Sequence, residues 1–214
     1  DFDKKVQRTK KRPIASGKIS VKNSLIYVVI LCSIAFVILV QFNLLTIILG
    51  LCSMLLAFSY PFMKRITYWP QLFLGLTFNW GIIMAWTAMN NDISLEIIFL
   101  YIAAIFWTLG YDTIYGAQDM ADDEIIGLKS TSLKFKKDIK LFVGISYLIT
   151  LVLIVYLFLG EMGKNLFSLL LLFFAISLIL QLINFDKNNP QKCLSSFKLN
   201  NYSGLLLFLT ILKI

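Results

Sequence analysis

The amino-acid sequence predicts an all-α protein that crosses a membrane several times. Of its 214 residues, 58% are hydrophobic and the mean hydropathy is +0.79, whereas soluble domains are roughly 45–50% apolar. A helix needs about 20 mostly apolar residues to cross a hydrocarbon core about 30 Å thick. The apolar residues fall into runs of about this length with charged residues between them. These observations favour a polytopic transmembrane helix bundle.

Seven runs are candidate spans, and together they form one predicted domain over residues 1–214. None has the charged start and small-residue cleavage site of a removable signal peptide, so each is interpreted as a membrane helix. The last run is short. The runs cover residues 24–41, 43–59, 70–89, 93–111, 141–159, 166–184 and 202–214.

Cysteine and histidine usage narrows the possible chemistry. Cys32, Cys52 and Cys193 have no CxxC spacing, so neither a zinc site nor a disulfide framework is indicated. The chain contains no histidine, which excludes Ser/His triads and imidazole acid–base catalysis. Carboxylates, phenols, Lys and Arg remain for any reaction.

The positive charges indicate the orientation of the helices. Segments 1–23, 60–69, 112–140 and 185–201 carry 18 of the 20 Lys and Arg residues. Because cytoplasmic loops are enriched in Lys and Arg, these segments are predicted to share the cytoplasmic side. The net charge of +8 is then explained by a surface facing anionic lipid and does not require nucleic acid.

The acids gather on the same side, where nine of the twelve lie; only Asp92, Glu96 and Glu161 fall opposite. Acids beside bases at the mouth of a helix bundle suit a polyanion held through metal ions and direct cation contacts.

Residues 1–17 form a basic arm before the first run. Asp3 is followed by a dense basic tract that includes Arg8 and Arg12. A juxtamembrane polybasic anchor is one interpretation. The Arg12-Pro13 and Ser16-Gly17 pairs favour an ordered loop, in which the guanidinium groups would bind phosphate.

Residues 60–71, YPFMKRITYWPQ, join the second and third runs. Tyr60 and Lys64 share a face if this stretch is helical, and Arg65 is adjacent. Tyr68 and Trp69 are interpreted as interfacial aromatics. Pro61 and Pro70 bracket the predicted loop, whose Lys and Arg are candidates for binding a diphosphate or a carboxylate.

Residues 111–130, YDTIYGAQDMADDEIIGLKS, carry the densest acidic cluster. If the run at 93–111 continues as a helix, Asp112, Asp119 and Asp123 lie within about 40° of one another at 100° per residue. Tyr115 borders this stripe, and Asp122 points away from it. Two carboxylates one turn apart can hold Mg²⁺ while phosphate oxygens complete its coordination.

The alternative is an exposed loop whose acids pair with Lys129, Lys134 and their neighbours. Depth in the membrane favours the metal site, because like charges on one face near a bilayer are costly unless a cation neutralises them.

Together these segments resemble the UbiA superfamily of intramembrane prenyltransferases, and within it the group acting on 4-hydroxybenzoate. Asp3 resembles the last Asp of a first motif, NDxxDxxxD. The second motif, YDTxYAxxDxxDD followed by IGxKST, is matched from Tyr111 to Thr131, with Gly116 where the family usually has Ala. That change is expected to have little consequence. Further matches are Arg8, Thr9, Arg12, Pro13, Ser16, Gly17, Tyr60, Pro61, Lys64, Arg65, Thr67, Pro70, Gln71, Leu74, Gly75, Asn200, Asn201, Tyr202 and Gly204.

The resemblance also implies what the sequence lacks. The family has nine transmembrane helices, so this chain is expected to lack the first two, together with most of the first motif. The 214 residues alone are therefore expected to be inactive.

The resemblance implies transfer of a polyprenyl group from polyprenyl diphosphate to 4-hydroxybenzoate in ubiquinone biosynthesis. Mg²⁺ is the expected cofactor, with Asp119, Asp123, Asp112 and Asp3 as metal ligands. Lys64, Arg8 and Arg12 are candidates for diphosphate contacts and Arg65 for the benzoate carboxylate. Tyr60, Tyr115 and Lys129 complete the predicted substrate site. Membrane lipid is the expected environment, in a bacterial-type inner membrane or the mitochondrial inner membrane.

Three alternatives remain open. A transporter could use the acidic stripe as an ion site, although carriers usually place ionisable groups near mid-membrane. An inactive lipid-binding relative would keep the apolar bundle. A related prenyltransferase would use another aromatic acceptor.

Overall fold

The computed structural model describes residue 4 and residues 9–163 and 165–212, and the secondary structure in those ranges is helical. Short 3₁₀ turns cover Ala117–Asp119 and Leu159–Glu161. The helices are α1 (Val21–Leu39), α2 (Leu44–Ile66), α3 (Pro70–Phe78), α4 (Trp80–Asn90), α5 (Leu95–Gly116), α6 (Met120–Ile126), α7 (Thr131–Lys134), α8 (Ile139–Leu157), α9 (Asn165–Asn184) and α10 (Pro190–Leu212).

Polar side chains fix where several helices begin. Ser20 Oγ accepts a hydrogen bond from Asn23 N, and Asn43 Oδ1 accepts one from Thr46 N. Such caps satisfy backbone donors that have no partner inside the first turn. The local sequence therefore sets the starts of α1 and α2.

Six helical segments in the described ranges are long and apolar enough to cross a membrane. They correspond to the first six predicted runs. The seventh run lies inside α10, which begins at Pro190, twelve residues before the run. The polar first half of α10, including Lys192 and Lys198, lowers its hydropathy and keeps it out of the candidate spans.

The predicted boundary at Pro61 is wrong, because α2 continues through this residue to Ile66. A proline leaves the carbonyl of residue 57 without its usual helical donor, but membrane helices tolerate this when neighbours support the backbone. The extension places Tyr60 and Lys64 one turn apart on a helix, as predicted, and shortens the loop to Thr67–Trp69.

The third run forms two helices that meet at Asn79. The Asn79 Nδ2 group donates to the carbonyl oxygens of Gly75 and Ala104 and to Thr108 Oγ1, at 2.9, 3.2 and 2.8 Å. These bonds tie the break to α5, so the run bends where polar groups can be satisfied.

Helix α5 is the centre of the bundle, with ten buried residues and contacts with α3, α4, α8 and α10. Gly110 allows α8 to approach closely, since a Cβ at this position would overlap the ring of Tyr147. Helix α1 differs, because none of its residues is buried. Its apolar side chains suit contact with lipid.

Candidate functional site

The acidic segment is not one continuous helix. Helix α5 ends at Gly116, a 3₁₀ turn covers Ala117–Asp119, and α6 starts at Met120. The premise of a single unbroken helix is therefore wrong, because the turn changes the angle between the acids on its two sides. Asp119 is only 5% exposed and Asp123 only 1%. Both point into protein.

Lys64 pairs with Asp123. Lys64 Nζ lies 3.0 Å from Asp123 Oδ2, and the exposed fractions of the two side chains are 37% and 1%. The carboxylate is deeply buried, whereas the ammonium group reaches the surface. A buried charge requires a partner of this kind, so the end of α2 and the acidic segment form one site.

Backbone contacts hold α2 and α6 together. Gly127 ends α6 with φ +79°, a left-handed conformation that favours glycine, and Leu128 N donates to Asp123 O at 2.8 Å. Lys129 N then donates to Lys64 O at 2.7 Å, while Lys129 Nζ donates to Ile66 O at 3.1 Å. Lys129 thus connects α2 to the acidic segment, and its predicted substrate contact remains a prediction.

A buried polar network supports the other side of the turn. Thr113 and Thr131 share a hydrogen bond of 2.7 Å between their Oγ1 atoms, and Ser132 Oγ donates to Thr113 O. Thr131 N donates to Gln71 Oε1 at 3.0 Å. Networks that are fully satisfied rigidify a structure, so the region around α7 is fixed to α3 and α5.

Gly116 lies in this network. A Cβ here would come within 2.9 Å of both Gln71 Nε2 and Ser132 Oγ. Alanine would have to displace the Gln71 amide or the Ser132 hydroxyl. The expectation that Gly at this position has little consequence stays a prediction.

Tyr60 marks a second point where α2 meets α5. Its phenol lies within electrostatic range of Asp112, Arg12 and Tyr115. The Tyr115 ring lies 4.5 Å from that of Phe197 on α10. Asp112 and Tyr115 are both half-buried. Four of the predicted site residues therefore come together from the arm, α2 and α5.

Glu124 and Asp122 differ from the buried acids. Glu124 Oε2 lies 2.6 Å from Lys136 Nζ, and both side chains are at least half exposed. Asp122 is half-buried. Lys134 Nζ lies 4.5 Å from the centre of the Trp69 ring. Only the outer edge of the segment resembles the alternative of a solvated acidic loop.

The remaining predicted residues are less tightly placed. Arg65 is exposed on the last turn of α2, with its guanidinium 5.9 Å from the ring of Phe62. Arg12 is exposed on the arm. Asp3 and Arg8 lie outside the described residues.

Among the described residues, no group of three or more Asp, Glu or Cys side chains is arranged to hold a metal ion by itself. Mg²⁺ usually binds one or two protein carboxylates and takes its other ligands from water and phosphate. The buried carboxylates of Asp119 and Asp123 suit that smaller donor set.

The sequence model of the UbiA prenyltransferase family matches residues 1–205. This chain belongs to the UbiA prenyltransferase family. The match covers both the basic arm and the acidic segment.

Relatives within the UbiA family agree with this assignment. The mitochondrial 4-hydroxybenzoate polyprenyltransferase of Bos taurus is 41% identical over 99% of this chain and 57% of the relative. The 4-hydroxybenzoate geranyltransferase 2 of Lithospermum erythrorhizon is 40% identical over 99% of the chain and 70% of the relative. The chain thus spans little more than half the length of the bovine protein.

A solved UbiA structure shares the fold. The apo structure of a UbiA homolog from Aeropyrum pernix K1 superposes with a TM-score of 0.82 at 24% identity, covering 99% of this chain and 79% of that one. The predicted UbiA-like helix bundle is therefore confirmed.

The sequence matched Tyr111 and Asn200 to the family pattern but did not predict the contact between α5 and α10, which is one part of this UbiA-family site. Trp107, Tyr111 and Phe197 form a chain of ring contacts. Within the described ranges, Trp107 Nε1, Ser196 Oγ and Asn200 Oδ1 are buried without a hydrogen-bond partner in the protein. Buried polar atoms of this kind are uncommon and call for a functional explanation. The match of Asn200 to the family pattern was a signal in the sequence, and Ser196 lies one helical turn before it.

Proposed function

We propose that this protein transfers a polyprenyl group from polyprenyl diphosphate to 4-hydroxybenzoate. The observation that carries the proposal is the Lys64–Asp123 contact of 3.0 Å, which joins a cation and a buried carboxylate at the end of an apolar bundle. A diphosphate with a long apolar tail has matching chemistry, because its head needs cations and its tail needs the bundle.

The chain's own cations would bind the leaving diphosphate. Lys64 is 37% exposed at the edge of the acidic segment, and Arg12 lies within electrostatic range of Tyr60. Charge-assisted hydrogen bonds from such groups are stronger than neutral ones. Cations aimed at the departing oxygens would stabilise negative charge as the allylic carbon–oxygen bond breaks.

Asp119 and Asp123 are the carboxylates proposed to hold Mg²⁺, with Asp112 and Asp3 as further candidates. When bound, Mg²⁺ neutralises negative charge on the diphosphate. Burial of Asp119 and Asp123, at 5% and 1% exposure, supports this role because buried carboxylates favour a compensating cation.

Arg65 is the proposed partner of the benzoate carboxylate, through a bidentate pair. Tyr60 and Tyr115, each half-buried, would form the wall beside the reacting ring and exclude water. Water must be kept away because it would otherwise capture the allylic cation.

The biological setting is part of the proposal. The relatives include mitochondrial proteins, and the clustering of Lys and Arg on one side favours placing the site on the matrix or cytoplasmic face of an inner membrane. The product would enter ubiquinone biosynthesis. A related enzyme with another aromatic acceptor is the main alternative.

An assay in membranes tests the proposal. The chain is expressed alone and also completed by the segments of the bovine relative that it does not span. With polyprenyl diphosphate, Mg²⁺ and 4-hydroxybenzoate, the completed form should yield prenylated 4-hydroxybenzoate. The 214-residue chain is assayed beside it.

Variants identify the site in the same assay. Asp119→Ala should abolish product, whereas Asp92→Ala, an acid near the opposite end of the bundle, should not. Normal turnover by Asp119→Ala would contradict the assigned site. Product from other hydroxylated aromatic acids, with none from 4-hydroxybenzoate, would favour the alternative acceptor.

A further inference from the structure

A second site lies apart from the carboxylate site, beside α8, α9 and α10, in segments predicted to face the same side of the membrane. A cavity of about 530 Å³ opens between the first turn of α8 and the loop joining α9 to α10. None of its lining residues belongs to the carboxylate site described above. The prenyl-transfer proposal therefore leaves this cavity without a role.

The cavity is basic. Four of its lining residues are lysines, and two are aspartates, Asp138 and Asp186. The lysines are Lys137, Lys140, Lys187 and Lys192. The lining thus carries two more positive than negative charges.

These charges do not cancel locally. In the part of the chain that the structure describes, neither Asp138 nor Asp186 forms a salt bridge with a lysine of the cavity. Asp186 Oδ1 instead accepts a hydrogen bond from Asn188 N at 3.0 Å. The ammonium groups of Lys137, Lys140 and Lys192 therefore remain available to an external anion.

A hydrogen bond and core packing hold the walls of the cavity in place. Lys187 Nζ donates to Lys136 O at 2.8 Å, which joins the loop before α8 to the loop before α10. Ile139 and Phe185, two lining residues, are each 1% exposed and packed into the core. The walls are thus fixed from both sides.

The position of the cavity indicates what kind of anion fits. Helix α8 begins at Ile139 and α9 ends at Asn184, and both are candidate membrane spans, so the cavity lies where two spans reach the bilayer surface. Leu141 and Ile183 line it and are 63% and 66% exposed. A ligand here meets lysines at one end and lipid-facing apolar side chains at the other.

We propose that this cavity binds an anionic membrane phospholipid, with its phosphate among the lysines and its acyl chains along Leu141 and Ile183. Basic pockets between membrane helices are suited to such headgroups. The exposed apolar side chains favour a lipid over a soluble phosphate, because only a lipid would cover them.

Lipid binding to the purified full chain in detergent tests the proposal. Native mass spectrometry and thermal unfolding are followed as phosphatidylglycerol, phosphatidylcholine or inorganic phosphate is added. The cavity variant is Lys137→Gln, Lys140→Gln and Lys192→Gln together. The matched control is Lys18→Gln, Lys22→Gln and Lys198→Gln, which removes the same charge from exposed residues on the same side that lie outside the basic arm.

The cavity variant is expected to weaken phosphatidylglycerol binding on the order of 100-fold, since each lysine near an anionic headgroup contributes about a factor of five. The control should change binding by less than about threefold on the same basis. Equal losses in both variants, equal binding of phosphatidylcholine, or displacement of the lipid by equimolar inorganic phosphate would overturn the proposal. If the triple variant does not fold, Lys140→Gln and Lys192→Gln alone should each weaken binding about fivefold.

Discussion

Asp123 and Glu124 are neighbours on α6, and each lies beside a lysine, yet their surroundings differ completely. The Glu124–Lys136 pair is shorter, at 2.6 Å, but its side chains are 59% and 50% exposed. The Asp123–Lys64 pair is longer, at 3.0 Å, and its carboxylate is 1% exposed. Water screens the first pair, whereas the carboxylate of the second pair is largely removed from solvent. The burial of the carboxylate, and not the length of the ion pair, therefore decides which pair contributes more to stability and activity.

The largest expected effect of this contrast is on activity. Asp123→Asn should lower prenyl transfer by the completed form at least about 100-fold, because preorganised charge at the reacting centre is lost. Glu124→Gln should leave the rate within about twofold, as expected for a screened surface charge. Product formation under single-turnover conditions is the measurement. Similar losses in both variants would remove the distinction between the two acids.

The free energy of unfolding should show the same contrast between the two ion pairs. Lys64→Met leaves the Asp123 carboxylate buried without its lysine and should lower the free energy of unfolding by about 3 kcal/mol, the low end for breaking a buried pair. The low end applies because Lys64 is partly exposed. Lys136→Met should cost no more than about 0.5 kcal/mol. Unfolding by denaturing detergent provides the comparison, and equal costs would show that depth is irrelevant here.

Burial also changes the acidity of a thiol, that of Cys193. Burial, and secondarily the charge of Asp186, raises the pKa of this thiol to about 11. At pH 8 its thiolate fraction should be on the order of 100-fold below that of an ordinary cysteine with a pKa near 8.5–9. A maleimide should therefore label Cys193 slowly, and faster as pH rises.

Two variants separate the effect of the Asp186 charge on the pKa of Cys193 from the effect of burial. Asp186→Asn removes the like charge and should speed labelling, whereas Asp138→Asn, in the same cavity, should not. The sign for stability follows as well: because the folded pKa is raised, the stabilisation from the neutral thiol is complete below about pH 8.5 and declines as pH rises towards 11. Labelling at the rate of an unfolded thiol at pH 8 would contradict this assignment.

The smallest expected effect concerns packing. Gly110→Ala places a methyl group against the ring of Tyr147, whose hydroxyl donates to Gln181 Oε1 at 2.6 Å. Overpacking of this kind should cost about 1–3 kcal/mol. Gly81→Ala adds the same methyl group where nothing lies within 4 Å, and should stabilise its helix by up to about 1 kcal/mol. Thermal unfolding of the two variants in detergent measures the difference, and a stable Gly110→Ala would show that α5 and α8 can move apart.

The bundle was predictable from sequence because a membrane helix is defined by local hydropathy. Two boundaries departed from the local rule. Pro61 lies inside α2, although a proline usually ends a helix. Asn79 divides the third run because α5 offers acceptors for its amide, and these acceptors lie 25 and 29 residues away in sequence, so the division was not visible beforehand.

Parts of the candidate site could also be anticipated. The density of acids pointed to Asp119 and Asp123, which the structure buries. The pairing of Asp123 with Lys64 could not be derived from the sequence, because the two residues are 59 positions apart. Asn200 was matched to the family pattern, but its position beside the buried polar atoms of Trp107 and Ser196 was not predicted, because single polar residues on an apolar helix resemble ordinary packing.

The backbone bond from Lys129 N to Lys64 O, at 2.7 Å, has a mechanical consequence. A hinge cannot operate between α2 and the acidic segment, because a main-chain hydrogen bond and an ion pair join them. The acidic segment and Lys64 must therefore move together as one rigid unit during any opening that admits or releases a ligand. Bending would be left to segments that these two bonds do not join.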